Sequence, residues 1–500
     1  MRSSNDPATG PGDPASDNQN ILGAGPRGPL LLQDRQLIEK LARFNRERVP
    51  EGTAHPFDLS ACGVFEVTNP EVPRYTRMRM FSEVGKRTEV FVRFSTAERS
   101  QRAVNAIRNP QDFAVRFYTE DGDWDLAGSN SPVFFIRDPL KLPYLIHSQK
   151  TDPHTDRQRA DNVWDFFSRS PEATHQVTWL FGDRGLPRSW RHMDGYGAHA
   201  FQWINAAGER LWVKFHFKTD QGIECLTTEE AARISSEFPR HLRHDLYRAV
   251  EDGNFPSWTL NVQIMPEADV AGSRIDPFDL TKVWPHGDYP LIEVGRLTLD
   301  RLPDTCVAEV ERSAFDPGHM VTGVGPSPDR MLQARLFAYG ESRRCRLAPN
   351  FHRCQGLRGG VATGVREADD FAQAGALYRL MPEAERERLV AAIAGSLSQV
   401  QRTAAGDSAV CRSIGHFCRA DRGYGRRVAL AVKALRGGVR TASFRAREAA
   451  PAHSYAAVPT VPRLPSGVTD QSVWLAPSSP GLPATLKGAL SNSGARAWKS

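Results

Sequence analysis

Between residues 62 and 300 apolar side chains alternate with polar ones in run after run, a period of two that suits half-buried extended strands. In the run Val90 to Thr96, Val90, Val92 and Phe94 share one face, while Phe91, Arg93 and Ser95 share the other. Phe113, Val115 and Phe117 alternate likewise, as do Leu211, Val213, Phe215 and Phe217, and then Trp258, Leu260, Val262 and Ile264. Several such strands separated by polar turns predict an antiparallel sandwich or barrel. The period changes outside that region. Leu37, Leu41 and Phe44 repeat at helical spacing. A capped helix is predicted to start at Thr227 or Thr228. Leu389, Ile393, Leu397 and Val400 mark one helix face within 369–436, and Val428, Val432 and Leu435 another. The fold class is α+β: an antiparallel β-barrel core with an N-terminal arm and a C-terminal helical subdomain.

Divided accordingly, the chain has a disordered N-terminus (1–26), an arm (27–61), a barrel (62–300), a segment with further helical residues (301–368), a helical domain (369–436) and a disordered tail (437–500). Both ends are rich in Gly, Pro and Ser without period, and such composition buries too little to order itself. No run approaches the length of apolar residues that a bilayer needs, and no secretory signal opens the chain. Seven cysteines without regular spacing make no disulfide framework and fit a reducing, cytoplasmic compartment. Lys and Arg number 64 against 58 Asp and Glu, a net +6 spread along the chain rather than gathered in a stripe. That distribution argues against a nucleic-acid partner. Cys345, His352 and Cys354 fit no common zinc spacing.

The one pair whose spacing suggests chemistry is Arg335 and Tyr339. At i and i+4 on a helix they share a face. A guanidinium beside a phenol favours its ionised form, lowering a pKa that is ordinarily about 10. A phenolate is an effective ligand for ferric iron. By spacing alone, however, a surface arginine covering a core tyrosine explains the pair better.

The wording of the chain then narrows the choice. It resembles the monofunctional haem catalases from Arg27-Gly-Pro-Leu to Tyr424-Gly-Arg-Arg-Val. The matching blocks include Val92-Arg-Phe-Ser-Thr96, Phe113-Ala-Val-Arg-Phe-Tyr-Thr119, Pro132-Val-Phe-Phe-Ile-Arg-Asp-Pro139, Arg191-His-Met-Asp-Gly-Tyr-Gly197, Lys214-Phe-His-Phe-Lys-Thr-Asp220 and Val283-Trp-Pro-His-Gly-Asp288. The resemblance implies a β-barrel around buried haem b and disproportionation of hydrogen peroxide to water and dioxygen. Tyr339 would be the axial ligand, an assignment for which catalases are the standard example, with Arg335 supporting it. His55 would carry the proton from one peroxide oxygen to the other. Ser95 would hydrogen-bond that histidine, Arg93 and Arg346 would pair with the haem propionates, and Phe134 would line the pocket. His175, Arg184, Asp194, Lys218, Trp284 and His286 match the NADPH site found in part of the family, although His216 and Lys218 taken singly read as solvent-facing strand residues. A homo-oligomer, a tetramer in the family, is also implied.

The departures gather at the same site. Gly52 stands where the family has an arginine, and Ser129-Asn130 replaces an Asn-Asn pair, which puts Ser129 in the catalytic position unless Asn130 shifts in. Ala97 and Leu142 are smaller than the family's residues, and most of the segment that threads between subunits is missing after Asn350. Two rival readings follow: a haem peroxidase or hydroperoxide-rearranging enzyme on the same fold, and a non-enzymatic haem-binding paralogue.

Overall fold

The computed structural model describes residues 37–38, 40–41, 59–96, 108–150, 159–303, 315–347 and 369–437, with the backbone alone at Thr96 and over 340–347. All belong to one compact unit, Met1–Arg440; the second, Thr441–Ser500, lies outside the described residues, as does the N-terminal segment 1–26. Among the described residues, ten strands form a single sheet: β1 Leu59–Val67, β2 Arg87–Thr96, β3 Gln111–Thr119, β4 Gly122–Ser129, β5 Gly195–Tyr196, β6 Phe201–Ile204, β7 Arg210–Thr219, β8 Ser257–Pro266, β9 Ile292–Arg301 and β10 Val324–Pro326. The helices used below are α1 Leu142–Gln149, α2 Ala160–Arg169, α3 Thr174–Phe181, α4 Thr228–Glu237, α5 Arg330–Leu347, α6 Ala372–Leu380, α7 Glu383–Ser398, α8 Ala404–Ala420 and α9 Arg422–Leu435.

Eight of the strands close into an antiparallel barrel, running β1-β2-β3-β4-β5-β7-β8-β9 and back to β1, while β6 and β10 extend from β7. The seam through β5 is narrow, with one register pair to β4 and two to β7. It depends on glycine: a Cβ on Gly128 would lie 1.9 Å from the Tyr196 carbonyl oxygen, and one on Gly195 would strike the Phe113 ring.

One face of each strand fills the barrel interior. Phe65, Val92, Phe94, Phe113, Phe117, Trp124, Phe215, Phe217, Trp258 and Leu260 are buried there in a single cluster. Phe94 meets Phe113 edge-on at 5.3 Å, and Phe117 stacks on Trp124 at 4.7 Å. Each such side chain contributes roughly 1.5–3 kcal/mol by leaving water. This packing refines the expected picture of a barrel around its cofactor, because the interior is occupied by side chains and the site residues lie on the opposite, outer face.

That outer face is polar yet buried. Ser60, Arg93, Ser95, Asp112, Arg116 and Asp125 are all at most 8% exposed. Arg116 binds Asp125 through two hydrogen bonds of 2.6 and 2.7 Å. Asp125 Oδ2 also accepts from the backbone N–H of Asp316 and lies 2.9 Å from His319 Nδ1. Burial alone would push the Asp125 carboxyl up, but Arg116 and His319 hold it below its usual range. The segment after residue 314 is thereby tied across the wall.

The helical part packs as its pattern predicts, with one exception. Leu389, Ile393, Leu397 and Val400 are buried with residues of α2 and α3. On α9, Val428 and Val432 are buried, but Leu435, read as part of that face, is 60% exposed at the helix end. Thr227 is the cap of α4, in a capping box with Glu230. Leu37 and Leu41 of the arm are buried with Leu140, Ala334 and Ala338, the last two on α5; Phe44 lies outside the described residues.

Candidate active site

The site is organised by the start of α5. Asp329 caps it: Oδ1 accepts from the backbone N–H of Met331 at 2.9 Å and Leu332 at 3.3 Å. Its other oxygen, Oδ2, lies 2.5 Å from His199 Nδ1. His199 Nε2 lies 2.7 Å from Arg335 Nη1. A guanidinium only donates, so Nε2 is the acceptor and the ring proton sits on Nδ1, directed at Asp329. Burial pushes His199 below its usual range although Asp329 pulls the other way, which agrees with a neutral ring. Arg335 Nη2 then donates to the Ala127 carbonyl at 3.2 Å and to the Tyr339 hydroxyl oxygen at 3.0 Å. The expected i, i+4 contact is therefore made, and the phenol oxygen is held by a guanidinium fixed at both ends.

His199 and Asp329 did not emerge from the sequence. A signal existed for the second, since Ser327-Pro-Asp329 precedes a helical segment as a capping residue should. Ala198, just before His199, has φ 57°, a left-handed conformation that alanine rarely adopts. The turn presenting His199 is thus held in place by its surroundings rather than by local preference.

The opposite part of the site lies on β2, β3 and β4. Ser95 pairs in register with Asp112, and Asp112 with Ser129, so the three side chains form one row. Ser95 Oγ donates to Asp112 Oδ2 at 2.8 Å. Ser129 Oγ lies 3.2 Å from the Ser131 carbonyl, to which it donates. Asn130 is engaged by the neighbouring backbone. Its Oδ1 accepts from the Gln111 backbone N–H at 3.0 Å, and its Nδ2 faces the Arg184 carbonyl. Arg93 is buried with its guanidinium 4.6 Å from the centre of the Phe315 ring. Phe134 and Leu142 are partly buried and pack against the cluster shared with the helical domain. His55, Gly52 and Ala97 lie outside the described residues, as does the segment 351–368, and of Arg346 only the backbone, on α5, is described.

The six residues matched to a nucleotide site divide into separate contacts. Asp194 Oδ2 accepts from Lys218 at 2.9 Å, from Arg184 at 3.3 Å and from the Tyr196 hydroxyl at 3.0 Å. Despite burial, Lys218 holds the Asp194 carboxyl below its usual range. His175 is buried with Nδ1 on the Thr281 carbonyl, and burial pushes it down to about 4. Trp284 is buried and donates from Nε1 to the Pro277 carbonyl. His286 faces His216 with ring centres 6.1 Å apart. His216 corrects a strand-surface reading: it is buried beside Gln263, and burial with Lys218 and Lys214 pushes it down to about 3. Among the described residues, no group of three or more His, Cys, Asp or Glu could hold a metal ion, and no helix is long and apolar enough to cross a membrane.

Comparison with known proteins agrees with this geometry. The catalase family model matches residues 8–366, and the model described as catalase-related immune-responsive matches 365–432. A catalase of Streptomyces coelicolor is 51% identical over 480 residues, covering 85% of this chain and 98% of that protein. A bromoperoxidase-catalase of Streptomyces venezuelae is 50% identical over 478 residues, covering 85% and 98%. Among solved structures, a bacterial catalase superposes with a TM-score of 0.71 at 38% identity, covering 86% of this chain and 96% of its own. Catalase A from Saccharomyces cerevisiae does so at 0.71 and 35%, covering 86% and 100%. With its barrel and its helical part both matched, and half its aligned residues shared with relatives spanned almost whole, the chain belongs to the catalase family.

Proposed function

We infer that the residue carrying the activity is Tyr339, whose phenol oxygen would hold the iron of a haem. The reaction is disproportionation of hydrogen peroxide to water and dioxygen, and the cofactor is haem, of the b type in our reading. The donor set fits that group: a phenol oxygen 3.0 Å from a guanidinium that is itself anchored by His199 and a backbone carbonyl. That contact, which stabilises an anionic phenolate, is the observation on which the assignment rests. When bound, haem would supply the redox chemistry for peroxide disproportionation. Arg335 donates to the Tyr339 oxygen, a contact that favours the phenolate form. Arg93 and Arg346 pair with the propionates, Phe134 excludes water from the pocket, and Ser95 supports the proton carrier. His55 takes a proton from one peroxide oxygen and returns it to the other. Ser129 contributes a hydroxyl oxygen to the substrate, whereas its proton is engaged by Ser131.

The test is the visible spectrum of haem-loaded protein together with dioxygen release on adding peroxide. A high-spin ferric tyrosinate spectrum is expected, with dioxygen release that falls by ~10²–10⁴-fold in His55→Ala. The expected spectrum without dioxygen release, but with turnover of phenolic donors, would replace this reading by a peroxidase.

NADPH is a poorer fit. Both cations of its matched site, Arg184 and Lys218, already share the Asp194 carboxylate. A dinucleotide phosphate must displace that carboxylate, so we place NADPH as a weak ligand. Asp194→Asn should tighten its binding by ~10-fold in a fluorescence titration, because a like charge is removed from the phosphate's path. An unchanged affinity would mean that Asp194 is not the obstacle. We assign the enzyme to the cytoplasm and to a homo-oligomer.

A further inference from the structure

One hydroxyl on the outer wall has no partner. Ser60 on β1 is 1% exposed, and its Oγ makes no hydrogen bond. Buried polar groups are nearly always satisfied, and leaving one unpaired is costly, so an orphan of this kind marks the place of an acceptor. The neighbouring side chains supply none. Ser60 stands opposite Arg93 on β2, whose guanidinium only donates. Further along the same face, Cys62 and Phe91 oppose each other and pack with Ala114 and Phe315 in an apolar cluster. The direction of the hydroxyl follows from the strand. Ala61, Phe65 and Val67 of β1 fill the barrel interior, so Ser60 projects outward, as Arg93 does. In register the row continues from Arg93 to Ala114 on β3 and Ala127 on β4. The Ala127 carbonyl accepts from Arg335, which holds the Tyr339 oxygen. One cross-strand row therefore runs from the Ser60 hydroxyl to the anchor of the iron ligand assigned above, and its two alanines carry only a methyl group each.

We propose that Ser60 is a cofactor-binding residue, its hydroxyl donating to a haem carboxylate beside Arg93. Side chains directly opposed in an antiparallel pair start ~4.5–5.5 Å apart, so a hydroxyl and a guanidinium at these positions can share one carboxylate. The two donors are complementary. The guanidinium brings charge, the hydroxyl brings a directed proton, and a carboxylate has lone pairs for both. A neutral donor also avoids the repulsion that a second cation would meet next to Arg93. Gly52, which stands where the family has an arginine, adds no side-chain donor of its own. The proposal rests on the reading that assigns haem to this chain and pairs Arg93 with a propionate.

The experiment follows haem loss as transfer from the loaded protein to excess apomyoglobin, with thermal unfolding of the haem-free protein measured alongside. Ser60→Ala removes the oxygen alone. It is expected to release haem ~10-fold faster than wild type, the effect of losing a hydrogen bond to a charged acceptor. Haem-free Ser60→Ala should unfold at the wild-type temperature or above it, because an unpartnered buried hydroxyl stabilises nothing. A fall in that temperature would mean that Ser60 serves the fold, and would overturn the proposal. With haem dimethyl ester, whose carboxylates carry no charge, the difference between the two proteins should shrink. Equal release of ordinary haem from both proteins overturns this proposal alone, as does faster release that persists undiminished with the ester. A wild-type chain that takes up haem without a ferric tyrosinate spectrum overturns the reading beneath it, and this one with it.

Discussion

Tyr339→Phe is expected to abolish peroxide disproportionation, lowering the rate by ~10³-fold or more, equivalent to about 4 kcal/mol on the barrier. The substitution removes one oxygen and little else. The ring keeps its place on α5, and Arg335 stays anchored by its bonds to His199 and the Ala127 carbonyl. What would be lost is the anionic donor proposed for the iron, and Arg335, which holds it, only donates and cannot replace it. The measurement pairs the visible spectrum with an oxygen electrode. Loss of the ferric tyrosinate bands together with dioxygen release is the expected result. A variant that keeps both would remove Tyr339 from the site.

The second large effect is expected at a residue that touches neither cofactor nor substrate. Asp329→Ala removes the cap of α5 and the acceptor for His199 in one step. Loss of the cap costs ~1 kcal/mol. Removing one partner from a buried charged network adds about 3–5 kcal/mol. Activity should fall by ~10–100-fold, the usual result of losing a residue that orients a metal ligand. Asp329→Asn separates the two roles. One amide oxygen can cap the helix or accept from His199, but cannot do both, since the other position carries an NH₂. The asparagine variant should regain part of the lost thermal stability while dioxygen release stays low. Equal recovery of both would mean that Asp329 acts through the helix alone.

The long strands were legible because their alternation is strict. Val90 to Thr96 lies within β2, and the runs at 113–117, 211–217 and 258–264 lie within β3, β7 and β8. Alternation cannot say what covers the second face. Phe91, Arg93 and Ser95 resemble a solvent-facing side, yet they are buried, the first two against the Phe315 ring. The short strand β5, two residues long, has no period to detect. Arg335 and Tyr339 were found because their contact is local, four residues apart on one helix. His199 and Asp329 were missed because their bond joins positions 130 apart, and no local pattern records it. Ser129 was identified by position, but the direction of its proton required Ser131 in space. Leu435 shows the converse error, a correct helical period continued past the point where the helix still has a neighbour.

The glycines at the seam have a consequence beyond the site. A closed cylinder has no free edge, and here closure passes through a strand of two residues whose approach to β4 leaves no room for a Cβ on Gly128. One methyl group at that point would be enough to prise the seam apart. The cylinder would then become an open sheet with β4 at its edge, beside the aromatic side chains that now fill its interior. Edges of that kind pair with other molecules of the same chain. A mutation at the seam would therefore be felt first as self-association, in the yield of folded protein rather than in its turnover.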